Sequence, residues 1–141
     1  MYDNQAIEIL LIEDNFDDAE LTIRALKKRN LANHLHHISD GEEALKYLFE
    51  YPANPFPKLI LLDLKMPKVD GIQILRAIKE DPEKRIIPVV VLTSSKEEKD
   101  IIESYKLGVN AYIVKPVDFD KFLDAVAQLG LFWLVLNQPP K

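Results

Sequence analysis

The chain has 141 residues, 48% apolar and 29% charged, the balance of one folded domain rather than a disordered or multi-domain chain. It contains no cysteine, which excludes disulfides, thiolate chemistry and cysteine-bound zinc, and the reducing cytoplasm is the expected location. Net charge is −5 with lysines scattered among acids, which argues against nucleic-acid binding, and Met1-Tyr2-Asp3-Asn4 opens no secretory leader.

In chain order, short apolar runs alternate with amphipathic stretches. Ile7 to Ile12 reads as the first strand, and Asp17 to Arg29 as a helix with Ala19, Ile23 and Leu26 on one face. His34 to Ile38 is the most polar strand and is placed at a sheet edge. Gly41 to Tyr51 reads as a helix N-capped by Asp40, with Ala44, Leu45, Leu48 and Phe49 turned inward. A proline-stiffened loop, Tyr51 to Pro57, leads to Leu59-Ile60-Leu61-Leu62, whose unbroken apolarity predicts a strand covered on both faces. The helix Gly71 to Glu80 carries Ile74, Leu75 and Ile78 and stops at Asp81-Pro82. Pro88 to Leu92 is a second wholly apolar strand, Glu97 to Leu107 a helix closed by Gly108, and Ala111 to Val114 the fifth strand. The last helix begins near Asp118. Five β-α units predict an α/β fold, a doubly wound parallel sheet with helices on both faces.

In such sheets ligands bind beyond the carboxyl ends of the strands. Strand one ends in Glu13-Asp14, strand three in Asp63, strand four in Thr93 and strand five in Lys115-Pro116. With strand order 2-1-3-4-5 these ends converge on one crevice. Asp63 would be a carboxylate nucleophile, and Asp14 and Asp63 offer hard oxygen ligands to Mg²⁺, with Glu13 holding one of its waters. Lys115 and the Thr93 hydroxyl can stabilise phosphoryl oxygens. Singly these residues say little, since Asp14 could equally cap the first helix and Lys115 could be a solvated side chain. Asp63 has no capping duty, because the next helix starts eight residues later. The case rests on the joint placement.

Leu11 to Asn15, Leu61 to Pro67 with Asp70-Gly71, Val91 to Ser94 and Val114-Lys115-Pro116 together resemble the signature of the response-regulator receiver domain, the CheY-like family. The resemblance spans nearly the whole chain and implies a flavodoxin-like (βα)₅ fold. It implies that Asp63 accepts a phosphoryl group from a phosphohistidine on a sensor histidine kinase. It further implies Mg²⁺ on Asp14, Asp63 and the Lys65 backbone carbonyl, with Glu13 acting through water, and a cis Lys115-Pro116 bond. Thr93 and Tyr112 would form a switch pair, the ring turning inward as the hydroxyl moves to the phosphoryl group, so that the face of the fourth helix, fifth strand and fifth helix changes its affinity for a downstream partner. Lys65 and Ser95 lie where the family tunes hydrolysis. Such a domain is a signalling protein rather than an enzyme, catalysing at most its own phosphoryl transfer and dephosphorylation. Asp81-Pro82-Glu83, Ile87 to Thr93, Ser104 to Asn110, the proline-rich loop and Phe132-Trp133 narrow the resemblance to single-domain regulators paired with bacterial phytochrome-type kinases.

The whole chain, 1–141, is expected to form one receiver domain with no output domain, its last helix extended by an apolar tail from about 129 to 141. The charge-free stretch Ala125 to Pro140 falls short of the ~20 apolar residues of a membrane span. Leu129 to Leu136 has no polar face, which predicts a homodimer through Phe119, Phe122, Leu129, Phe132, Trp133 and Leu136. His34, His36 and His37 are read as edge-strand side chains, because alternate strand residues point apart and cannot converge on a metal. Three alternatives stand against the receiver reading. A flavodoxin-type cofactor binder would need a glycine- and hydroxyl-rich loop where Glu13 to Asp18 stand. A phosphatase of the haloacid-dehalogenase type would need an acid where Lys65 stands. The third is a phosphorylation-independent binding module.

Overall fold

A computed structural model of the chain describes residues 8–29, 34–50 and 56–128. Five strands and five helices alternate: β1 (Ile9–Ile12), α1 (Phe16–Lys28), β2 (Leu35–Ile38), α2 (Gly41–Phe49), β3 (Leu59–Leu62), α3 (Gly71–Glu80), β4 (Val89–Thr93), α4 (Glu98–Lys106), β5 (Ala111–Val114) and α5 (Phe119–Gln128). A short 3₁₀ turn, Lys84–Ile86, joins α3 to β4. All pairings are parallel and the strand order is β2-β1-β3-β4-β5. This is the predicted doubly wound, flavodoxin-like arrangement, with the polar histidine strand at an edge.

Each central strand feeds two cores. Alternate residues Leu10, Ile12, Ile60, Leu62, Val89 and Val91 face Ala44 and Leu48 of α2 and Ile74, Leu75 and Ile78 of α3. The intervening Ile9, Leu11, Leu59, Leu61, Val90 and Leu92 face Ala19 and Leu26 of α1 and Phe122 and Val126 of α5. Burial on both faces explains why β3 and β4 carry no polar residue until their carboxyl ends.

The helix starts are set by side-chain caps. Asn15 accepts from the Asp18 N–H, Asp40 from Glu42, and Asp70 forms a reciprocal capping box with Gln73. Capping of α1 by Asn15 releases Asp14 from that task. Capping of α3 by Asp70 does the same for Asp63. After α4 the chain turns at Gly108, whose φ of +98° only glycine adopts without strain.

Phe122 is 1% exposed and packs inside its own domain against β1, β3 and β4. The expectation that it contributes to a dimer interface is therefore corrected: its ring is consumed by the intramolecular core. Phe119 is half-buried, edge-on to Phe122 and covered by the Arg29 guanidinium. Leu129, Phe132, Trp133 and Leu136 lie outside the described residues, as does the tail they belong to.

Candidate functional site

Parallel hydrogen bonding continues one residue past the strand ends. The Glu13 N–H donates to Ile38, the Asp63 N–H to Ile12 and the Lys115 N–H to Thr93, at 3.1, 3.0 and 2.8 Å. The sheet ladder itself thus fixes the backbone of three candidate residues before any side chain acts. Asp63 is 5% exposed, Glu13 2% and Thr93 is fully buried, so these polar groups close the carboxyl edge of the sheet rather than line open solvent. Gly71 is required beneath them. A β-carbon there would overlap the Asp63 carbonyl oxygen and stand 2.6 Å from the Leu64 Cα.

Glu13, Asp14 and Asp63 bring carboxylate oxygens within 4.8 Å of one another. Three hard anionic donors at that spacing fit a small divalent cation. Lys115, with a side chain 14% exposed, is bound by Glu13 at 2.6 Å and Asp18 at 2.8 Å, and stands 3.7 Å from Asp63. Burial opposes its charge, but the hydrogen bonds to Asp18 and Glu13 and the field of Asp63 outweigh burial and hold the ammonium above its ordinary range. Glu13 shows the reverse balance. Its burial, only partly offset by the Lys115 hydrogen bond and reinforced by the Asp63 charge, pushes its pKa up to about 7. A buried acid cluster of this kind is short of positive charge, which is the electrostatic condition for holding a cation.

On the other side of Asp63 a second network forms. The Lys65 N–H donates to Asp63 Oδ1 at 3.3 Å, and the Lys65 ammonium pairs with Asp100 at 3.0 Å and Glu97 at 3.3 Å. The Ser95 hydroxyl donates to Asp100 at 2.5 Å. The Ser95 N–H donates to Thr93 Oγ1 at 3.2 Å, and the Ser95 carbonyl accepts the Tyr112 hydroxyl at 3.0 Å. The hydrogen bonds to Asp100 and Glu97 hold Lys65 above its usual range, and the Ser95 hydroxyl holds Asp100 below its own.

The structure therefore gathers Glu13, Asp14, Asp63, Thr93 and Lys115 at one end of the sheet, with Lys65 and Tyr112 beside them. Lys115-Pro116 is cis, as expected. His36 packs its ring, tilted by 36°, against Tyr47 of α2, and His37 turns to the α1 side, edge-on to Phe16, its Nε2–H donating to the Glu13 carbonyl at 2.8 Å. The two rings point apart, as strand alternation requires. Sequence reasoning missed Asp18, Glu97 and Asp100, and Ser95, expected where the family tunes hydrolysis, is 7% exposed with every polar atom engaged. Asp18 stands in the first turn of α1 and its carboxylate reaches Lys115 at 2.8 Å, but as a residue type it reads as an ordinary helix-start acid.

A family model for the response regulator receiver domain matches residues 9–127. The chain is 42% identical over 129 residues to the response regulator Rcp1 of Synechocystis sp., covering 89% of this chain and 88% of Rcp1. A structure of the manganese-bound form of Rcp1 superposes with a TM-score of 0.74 at 40% identity, over 94% of this chain and 98% of that one. The bacteriophytochrome response regulator RtBRR is similar in structure, with a TM-score of 0.81 at 49% identity over 96% of this chain and 85% of its own. The phosphorylated cyanobacterial phytochrome response regulator RcpA gives 0.76 at 40% identity, over 97% and 100%.

Proposed function

The chain belongs to the response regulator receiver domain family, and from that premise we propose that it accepts a phosphoryl group on Asp63 from a histidine kinase of the phytochrome type. The observation that carries the assignment is the setting of Asp63. A buried carboxylate at the end of β3, free of any capping role, stands 3.7 Å from Lys115 and beside two further acids. An Asp63 carboxylate oxygen attacks the phosphorus of phosphohistidine, the P–N bond breaks, the imidazole leaves and an acyl phosphate remains. Asp14, Asp63 and the Lys65 carbonyl would hold Mg²⁺, with Glu13 holding a water beside it. When bound, that ion would neutralise charge on the phosphoryl oxygens. Lys115 offers the phosphoryl group a cation, and Thr93 a hydroxyl that now accepts from Ser95.

RtBRR and RcpA, by name regulators of phytochrome systems, support the kinase class. The manganese of Rcp1 supports a divalent ion in the acid cluster. The proposal includes a cytoplasmic location, because the phosphoryl group originates in ATP. It also includes a homodimer carried by the apolar segment after α5, and a downstream protein partner that reads the switched surface. The haloacid-dehalogenase alternative is disfavoured by Lys65, which places a cation two residues beyond the nucleophile, where that chemistry needs an acid.

The test is the intact mass of the protein after incubation with acetyl phosphate and Mg²⁺. One phosphoryl addition is expected, lost on chelation and absent from Asp63→Asn. Absence of any addition, with acetyl phosphate or with a phosphorylated phytochrome kinase, would instead leave a receiver fold that works as a binding module.

A further inference from the structure

Of the five helices, α4 is held least by apolar packing. Its buried positions are the polar residues Asp100 and Ser104, while Ile102 and Tyr105 are 48% and 52% exposed. By contrast α3 buries Ile74, Leu75 and Ile78. The Ser104 hydroxyl is the buried side-chain atom that finds no hydrogen-bond partner among the described residues. An unpaired buried hydroxyl costs free energy, so α4 occupies this seat with an uncompensated penalty.

What holds its first turn is polar. The Asp100 carboxylate takes the Ser95 hydroxyl and the Lys65 ammonium, and Glu97 shares that ammonium. Lys65 stands two residues beyond Asp63 and its backbone N–H is bonded to the Asp63 carboxylate. Ser95 in turn is bonded to Thr93 and Tyr112. One continuous chain of contacts joins the reacting carboxylate to α4 and to both members of the predicted switch pair.

We propose that Asp100 is a positioning residue, a latch that fixes α4 and the β4–α4 loop in the resting arrangement through Lys65 and Ser95, and that opens when Lys65 is drawn away. This rests on the reading of Asp63 as the phosphoryl acceptor. A phosphoryl group on Asp63 is a doubly charged acceptor close to Lys65, and it competes with Asp100 for the ammonium. Once Lys65 leaves, the Asp100 carboxylate loses its paired ammonium and keeps the Ser95 hydroxyl and the weaker field of Lys99, a less favourable state for a charge at a buried position. If the Thr93 hydroxyl also turns to the phosphoryl group, the Ser95 N–H loses its acceptor. Both events destabilise the resting loop, and neither disturbs an apolar anchor, because α4 has almost none. The latch is thus a differential contact between two states, which is what a ligand-driven switch requires.

The experiment is hydrogen–deuterium exchange by mass spectrometry without phosphodonor, on the full chain and on Lys65→Met, Lys65→Arg, Asp100→Asn and the Lys65→Met/Asp100→Asn double variant. Amides of residues 95–101 are expected to exchange about 10-fold faster in Lys65→Met and Asp100→Asn, with β1 and β3 unchanged as the control for folding. Lys65→Arg keeps a cation that reaches Asp100 and should stay near the parent rate. The double variant should exceed neither single one by more than measurement error, since both break one latch. Unchanged exchange in the two single variants, or additive effects in the double, would overturn the proposal. Initial rates of acetyl-phosphate labelling, read in parallel, should rise in the variants whose exchange rises. If no variant and no parent protein takes up phosphoryl, the acceptor reading fails on its own, while the exchange data still decide whether the latch exists.

Discussion

Glu13 illustrates how a single side chain trades stability for a site. Its carboxyl is buried at the sheet end with a pKa pushed up to about 7 from 4.5, chiefly by burial. A raised folded-state value means that this group's contribution to stability is complete below about pH 4.5 and is lost as pH rises through about 7. Glu13→Gln removes that loss while keeping an oxygen acceptor near Lys115. In metal-free buffer at pH 8 the variant should melt several degrees above the parent, and at pH 4.5 the gap should close. Mg²⁺ should then raise the melting temperature of the parent more than that of the variant. Thermal melts at both pH values, with and without the ion, decide this; an equal deficit of the variant at both pH values would remove Glu13 as a strained acid. At this scale legibility was uneven. Asp63 could be singled out because an acid closing an all-apolar strand, with the helix cap supplied by Asp70, has no structural errand. Asp18 could not be singled out on that ground, because an acid in a first helical turn is already explained by the helix dipole. Its contact with Lys115 crosses 97 positions of sequence.

At the scale of elements, the loop between β3 and α3 is shaped by what glycine leaves empty. Gly71→Ala would drive a β-carbon into the Asp63 carbonyl and the Leu64 Cα, both backbone atoms of a buried segment. The expected cost is about 1–3 kcal/mol. Because the displaced atoms carry the acceptor, labelling by acetyl phosphate should fall about 10-fold or more. Gly108→Ala is the informative comparison. Its φ of +98° strains an alanine, but the nearest neighbour of the added carbon is the Lys79 side chain at 3.9 Å. It should lower stability without slowing labelling. Chemical denaturation paired with labelling rates separates the two, and equal labelling of both variants would mean that Gly71 does not place Asp63. The strands and α3 were readable because their burial is apolar and periodic. The inward face of α4 was not, since Asp100 and Ser104 look like surface residues to any reading based on hydrophobic pattern.

Across the whole molecule, the proposed homodimer turns on which surface would meet a second copy. The described part of α5 turns Phe122 and Val126 into the core and leaves Asp120, Lys121, Asp124 and Gln128 outward, so its outer face is polar. A dimer built on α5 itself would desolvate those charges with little apolar area in return. The charge-free apolar run proposed to meet a second copy follows Gln128 in the sequence, from Leu129 through Leu136. Sedimentation equilibrium of the full chain should show a dimer at tens of micromolar. Trp133→Ser combined with Leu136→Ser should give a monomer with unchanged far-ultraviolet dichroism, whereas Lys121→Ala combined with Asp124→Ala should remain dimeric. A parent chain that sediments as a monomer at high micromolar concentration, both with and without acetyl phosphate, would remove the homodimer. Loss of the dimer in the Lys121 and Asp124 variant would instead move the interface onto the polar face of α5. The two substitution sets therefore discriminate between an association driven by apolar burial and one driven by charge, and only the first follows from how this chain distributes its hydrophobic residues.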